Sequence, residues 1–190
     1  MRTRVLVFVG FAMVAGAGVC LAANQLVNPN FTTNIAGWTA SGWPIDWIGT
    51  EGNAAPGALR AIATSSTGSV GMGVATQCTA ATAGVAYDFG ASFKIEPAST
   101  QTGGARLRVI YYTNSNCTGT LTSGGSVDPT SVAGWQSVNV QNDVAPAGTQ
   151  SAFVELIQSI AGPGTFTAYW DDVFFGPDPT PAELVSFAAE

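Results

Sequence analysis

From Tyr87 to Ile95 the chain reads Tyr-Asp-Phe-Gly-Ala-Ser-Phe-Lys-Ile, with an apolar residue at every odd position and a polar residue or glycine between. A period of two sends successive side chains to opposite faces of an extended strand, so this segment predicts a strand with one buried and one wet face. Arg106 to Tyr112 repeats the pattern: Leu107, Val109 and Tyr111 share one face, and Arg106, Arg108, Ile110 and Tyr112 the other. Further strands are predicted over 24–28, 44–49, 58–64, 69–77, 135–142, 150–158 and 166–175. No stretch sustains a helical apolar period, and glycine or proline interrupts the chain throughout. Turn chemistry fills the gaps, at Glu51-Gly52-Asn53, Thr102-Gly103-Gly104, Ser123-Gly124-Gly125, Asp128-Pro129 and Ala161-Gly162-Pro163-Gly164. Strands without crossover helices pair antiparallel, so the expected fold is all-β, an antiparallel two-sheet jelly-roll sandwich.

Residues 1–23 stand apart from this pattern. Arg2 and Arg4 precede an uncharged apolar run from Val5 to Val19, which then passes into small residues. The run is shorter than the roughly 20 residues of a membrane-spanning helix, and its basic start and small-residue end read as a signal peptide cleaved after Ala22 or Ala23. Cys20 raises lipidation as an alternative, but the bulky Val19 sits where a lipobox carries a small residue. The sandwich is assigned to residues 24–176. Residues 177–190 form a Pro-rich linker and C-terminal tail, which alternates like the first strand of a following module.

Export into an oxidising compartment leaves Cys78 and Cys117, and two cysteines allow one intramolecular disulfide. The pair has neither C-x-x-C spacing nor a third ligand, which argues against a redox or metal role. Composition excludes more. The 190 residues contain no histidine, which removes Ser-His and Cys-His nucleophile pairs, histidine bases and histidine-ligated metals. Six Lys and Arg face twelve Asp and Glu. With Arg2 and Arg4 in the leader, four basic residues face twelve acidic ones, a net charge of −8. Neither nucleic acid nor an anionic membrane suits such a chain. Charged residues are only 9 % of the total, so hydroxyls, amides and glycine supply the polar surface.

Two segments resemble a known family. Asn24-Gln25-Leu26-Val27-Asn28-Pro29-Asn30-Phe31 is followed by Asn34-Ile35-Ala36-Gly37-Trp38, and the chain later reads Phe166-Thr167-Ala168-Tyr169-Trp170-Asp171-Asp172-Val173-Phe174-Phe175. These are similar to the opening and closing strands of carbohydrate-binding modules of the family 4/9/22 type, whose fold is a galactose-binding-like jelly roll. The resemblance covers residues 24–176. In physical terms, Leu26 and Phe31 insert into the core on either side of a turn at Asn28-Pro29, and Trp38 covers one end of the sandwich. The resemblance also implies a structural calcium tying the opening segment to the last strand. Asp171 and Asp172 are adjacent and point to opposite faces of a strand, and Asp172, sharing a face with Trp170, is the expected ligand. Thr32 stands where the family carries a glutamate, which removes one carboxylate from that set.

Sugar recognition needs flat aromatic faces and hydroxyl-binding polar groups. Trp43 and Trp47 lie four residues apart around Pro44, on one parity of an extended segment, and are candidate stacking residues; either can equally belong to the core. Arg108 and Tyr112, on the outward row with Arg106, are the second pair of ligand candidates. Arginine supplies a planar fork of donors, and tyrosine both stacks and donates. Asp88 and Lys94, outward on their own strand, are placed to join that row. Trp135 is expected in the core. A glycosidase would need two carboxylates about 5–10 Å apart, and no spacing among Asp46, Glu51, Asp88, Glu96 and Glu155 singles out a pair. The expected protein is therefore a secreted, non-enzymatic module binding a polysaccharide or oligosaccharide, alone or beside an appended catalytic or surface module. The alternative is a structural or adhesive sandwich without sugar affinity.

Overall fold

The computed structural model describes residues 23–54, 56–65, 71–96, 103–128 and 134–178. The signal peptide expected over residues 1–23, apart from Ala23, and the tail from residue 179 lie outside the described residues. Ten strands are described: β1 (Thr39–Ser41), β2 (Ile45–Ile48), β3 (Ala58–Ser65), β4 (Gly71–Ala80), β5 (Ala86–Ile95), β6 (Gly103–Tyr112), β7 (Leu121–Val127), β8 (Gln136–Val144), β9 (Ser151–Ile160) and β10 (Gly164–Pro177). They form two five-stranded sheets, ordered β1-β4-β9-β6-β7 and β2-β3-β10-β5-β8. Every pairing is antiparallel. This is the expected sandwich.

The period-two readings place the core correctly. On β5, Tyr87, Phe89, Ala91, Phe93 and Ile95 are all buried, and so are Leu107, Val109 and Tyr111 on β6. These side chains meet Leu59 of β3, Val154 and Leu156 of β9, and Trp170 and Phe175 of β10 in one continuous cluster. Removing each large apolar side chain from water stabilises the sandwich by about 1.5–3 kcal/mol. Tyr87 stacks on Phe175 with ring centroids 4.7 Å apart. Leu26, Phe31 and Trp38 are buried as expected, with the Phe31 and Trp38 rings 5.6 Å apart. Trp135 is only half-buried at the mouth of β8.

Other readings need correction, among them the turn at Thr102-Gly103-Gly104, whose two glycines open strand β6. Residues 24–28 bend instead of forming a strand. Asn28 adopts a positive φ of 50°, outside the extended region, and Phe31 just beyond follows at 42°. The segment still lies along β10: the Gln25 amide donates to the Phe175 carbonyl at 2.8 Å, and the Val173 amide to that of Pro29 at 3.0 Å. Gln77 meets the backbone of Val27 with both ends of its side-chain amide. A further correction concerns Ser123-Gly124-Gly125, read as a turn. It is a bulge inside β7, where the register with β6 slips between Arg108 and Ile110. A Cβ at Gly124 would stand 2.6 Å from the Asp143 carboxylate and 2.7 Å from the Tyr111 ring. That close approach admits the Asp143 carboxylate, which accepts from the Tyr111 hydroxyl at 2.9 Å and the Gly125 amide at 3.0 Å. Another is the parity of β10, taken up with the site below.

The Cys78–Cys117 disulfide is present, with the two Cα atoms 6.0 Å apart. It ties β4 to the loop between β6 and β7 across the end of β9, where Ser151 Oγ accepts from the Cys117 amide at 3.0 Å. Closing a loop of this length stabilises a fold by about 3–4 kcal/mol through the unfolded chain. Cys78→Ser with Cys117→Ser is therefore expected to lower unfolding free energy in urea by that amount. The two-sheet core should still give the same far-ultraviolet circular dichroism.

Candidate functional site

On β9 the even residues Ala152, Val154, Leu156, Gln158 and Ile160 face the core, so Phe153, Glu155 and Ile157 lie on the outer face of the sheet. Strict alternation on β6 puts Arg106, Arg108, Ile110 and Tyr112 on the same outer face. Unbroken register between the two strands sets Arg106 opposite Ile157, Arg108 opposite Glu155 and Ile110 opposite Phe153. The Arg108 Nε donates to Glu155 Oε2 at 2.6 Å. Both members are largely shielded, Glu155 the more so. Ile110 and Ile157 are buried although they face outward, so the ion pair sits in an apolar setting.

Tyr112 stands at the end of this row with its ring edge-on to Phe153, centroids 5.4 Å apart. Burial pushes the Tyr112 phenol above its ordinary value, and the Glu155 carboxylate adds to this against the opposing pull of Arg108. It therefore remains a hydroxyl, able to donate. Arg106 pairs with Asp128 beside β7, Nη2 to Oδ2 at 2.8 Å, and this guanidinium holds the Asp128 carboxyl below the usual range. Met72 and Leu121, on the two flanking strands, are the exposed apolar residues of this sheet. Asp88 and Lys94 do not join the row. They belong to β5 in the other sheet, where Lys94 donates to Glu51 at 2.6 Å.

Trp43 and Trp47 lie elsewhere. Trp43 is half-buried against the core, where a Cβ on Gly73 would meet its ring at 3.0 Å and the Gln158 amide at 2.8 Å. Trp47, on the edge strand β2, is 40 % exposed, and its indole N–H donates to the Phe31 carbonyl at 2.6 Å. Trp43 lies in a bend before β2, so the two are not on one extended segment, and only Trp47 presents a substantial open face. Asp46, between them, is turned to Arg60 in a bidentate pair. The structure thus separates the four ligand candidates into two places: Arg108 and Tyr112 on one sheet face, and Trp43 and Trp47 around the crossover from β1 to β2. Glu155 is the member of the row that strand parity alone did not place. It lies on β9, and the register of that strand with β6 brings it to Arg108.

At Asp171 and Asp172 the strand bulges. Register with β5 slips between Asp171 and Phe174, and Asp172 takes φ 48°. The slip moves Val173 to the core beside Trp170 and leaves Asp172 partly exposed, so the simple two-face reading of this segment fails. Asp171 accepts from the Asn53 and Asp172 amides, both at 2.8 Å. Burial raises the Asp171 carboxyl, and these two N–H donors only partly oppose it. Asp172 accepts from the Asn53 side-chain amide at 2.9 Å and the Ser92 hydroxyl at 3.5 Å. Calcium takes six to eight oxygens. Here N–H donors meet the carboxylates, and among the described residues no group of three or more His, Cys, Asp or Glu assembles. This donor set does not fit a calcium ion.

Removing one partner from a shielded ion pair strands the other charge, at a cost of about 3–5 kcal/mol, whereas replacing both with apolar residues is close to neutral. Arg108→Met is thus expected to destabilise the protein more than Arg108→Met combined with Glu155→Leu. A double-mutant cycle by chemical denaturation reads the difference.

No family model matches the chain, and no curated protein matches its sequence. Solved structures do match. TmCBM61, solved in complex with β-1,4-galactotriose, is 18 % identical with a TM-score of 0.56, over 83 % of this chain and 100 % of that one. The second family 16 carbohydrate-binding module is 18 % identical with a TM-score of 0.57, over 80 % and 99 %. The Stig cyclase Fisc from Fischerella sp. TAU is 10 % identical with a TM-score of 0.59, over 84 % and 98 %. One architecture therefore serves both binding modules and a cyclase. The chain has the two-sheet jelly-roll fold of carbohydrate-binding modules.

Proposed function

We propose that this chain is a secreted, non-catalytic carbohydrate-binding module that holds a neutral oligosaccharide across the outer face of the β1-β4-β9-β6-β7 sheet. The observation that carries the reading is the Arg108–Glu155 pair set among apolar residues with Tyr112 at its end. Arg108 donates to sugar hydroxyls, Glu155 accepts from them, and Tyr112 offers a ring face and a hydroxyl. Because the pair is internally neutral, it has no spare charge for an acidic polysaccharide. Similar solved chains support the ligand class: one binds β-1,4-galactotriose, and another, a xylanase fragment of module 22 and its catalytic module, was complexed with xylohexaose. That fragment also supports an appended catalytic module as partner. The Cys78–Cys117 bond supports export.

Affinity electrophoresis of the protein in gels containing galactan, xylan or glucan tests the reading. Retardation by at least one is expected, and Tyr112→Ala or Arg108→Ala should weaken it at least about tenfold, or about 1.4 kcal/mol. Trp47→Ala should leave it nearly unchanged. If Trp43→Ala with Trp47→Ala abolishes retention while Tyr112→Ala does not, the site is the β1–β2 crossover. If no neutral polysaccharide retards the protein, the structural or adhesive reading takes its place.

The Asn53 contacts to Asp171 and Asp172 serve, on this reading, where the family resemblance implies calcium. The melting temperature should be the same in calcium and in chelator. A rise on adding calcium overturns this part of the proposal.

A further inference from the structure

The opposite sheet carries a concave feature that none of the four ligand candidates touches. A cavity of about 470 Å3 opens on the outer face of the β2-β3-β10-β5-β8 sheet, lined among others by Asp88, Ser92, Asn139, Gln141, Asp172 and Phe174. Its volume lies within the range of about 300–1,000 Å3 typical of small-molecule sites. Two bulges make it. On one side β10 slips by a residue between Asp171 and Phe174, and on the other β8 slips opposite Tyr87 to Phe89. Each bulge carries a non-glycine residue at positive φ, Asp172 at 48° and Asn142 at 57°. Such conformations cost about 1–3 kcal/mol each and cluster where a strand re-aims its side chains towards a ligand. Between the bulges lies Gly90, whose missing side chain leaves bare strand; a Cβ there would stand 2.8 Å from the Val138 carbonyl.

The lining chemistry points to one ligand class. Asp88 and Asp172 stand towards opposite ends of the bare stretch, since Asp88 and Ser92, the neighbour of Asp172, are about 13 Å apart along β5. Asp88 uses Oδ1 for the Asn142 amide, and both bonds accepted by Asp172 fall on Oδ2. One carboxylate oxygen at each end thus has no partner among the described residues. Asn139 and Gln141 add amide donors, and Phe174, half-buried, faces out of β10 opposite Gly90. No lysine or arginine lines the cavity, which excludes anionic ligands. Acceptors at both ends, amides at the side and the Phe174 ring lying over Gly176 towards the Asp88 end match a neutral, polyhydroxylated ring.

We propose that this cavity is a second saccharide site, taking one neutral pyranose unit independently of the Arg108–Glu155 face. The inference does not rest on that face, and its test separates the two. Methyl glycosides of galactose, glucose and xylose are titrated into labelled full-length protein, and backbone amide shifts are followed. At least one glycoside should move the Gly90 and Asn139 amides saturably, with Tyr112→Ala leaving this response unchanged. Phe174→Ala should weaken it at least about tenfold. Ser137→Trp, on the exposed edge strand β8, fills the cavity from outside and should abolish the response in a protein whose melting temperature is retained. Absence of any response to the three glycosides overturns the proposal. So does a response lost in Tyr112→Ala, or one given by calcium chloride or methylammonium but not by the glycosides.

Discussion

Strand β10 pairs with β3 on one side and β5 on the other, and its backbone also receives the opening segment of the chain. Trp170, Val173 and Phe175 point from it into the core, and all three are fully buried. Asn24 closes the arrangement: its side-chain amide donates to the Val173 carbonyl at 2.7 Å and accepts from the Phe175 amide at 3.2 Å. Pairing with β3 ends at Trp170, and the opening segment takes over from Val173 to Phe175, so these hydrogen bonds hold contacts between residues 149–151 positions apart in sequence. Contacts of this sequence separation come at a large loop-closure cost, so they form once the core has brought both ends together. The opening and closing motifs are therefore adjacent for a structural reason.

The two sheets differ in regularity, and this shapes their outer faces. Strand β9 pairs in unbroken register with β4 and β6 over its whole length. Side chains on its outer face consequently fall in straight rows, giving a continuous surface in which Arg108, Glu155 and Tyr112 align. In the other sheet, β10 and β8 each accommodate one extra residue against β5. The extra residues splay the neighbouring side chains apart and leave a notch over Gly90. One sheet thus offers an unbroken platform, the other a recess.

Alternation made most of the sandwich legible. Tyr87 to Ile95 and Leu107 to Tyr111 face inward as read, because period two survives wherever a strand is regular. It fails at Asp172 and at Gly124, where a bulge inserts one residue and inverts the parity of everything beyond it. Nothing in a single sequence announces such a slip: Asp172 at φ 48° looks like any strand residue, and Gly124-Gly125 looks like a turn. The same limit governs the site. Arg108 and Tyr112 could be picked out by parity within one strand, but their neighbour Glu155 lies on β9, 47 residues from Arg108, and only the register joins them. Trp43 and Trp47 share parity in the sequence, yet Trp43 lies in the bend before β2, and only Trp47 presents a substantial open face.

Charge pairing then decides what kind of ligand either face can take. The four basic residues beyond residue 23 are Arg60, Lys94, Arg106 and Arg108, and each is in contact with a carboxylate: Asp46, Glu51, Asp128 and Glu155 respectively. The more exposed of these pairs add at most about 1 kcal/mol each to stability, so holding the fold together is a weak reason for them. Their larger consequence is electrostatic. With each of these cations matched and eight further acidic residues in the sequence, no lysine or arginine among the described residues offers a phosphate, sulfate or uronate an uncompensated positive charge. Hydroxyl groups are different, because a paired guanidinium keeps N–H groups to donate and a paired carboxylate keeps lone pairs to accept. A surface built this way repels anions while remaining rich in donors and acceptors, which is what the proposed neutral-sugar ligand requires.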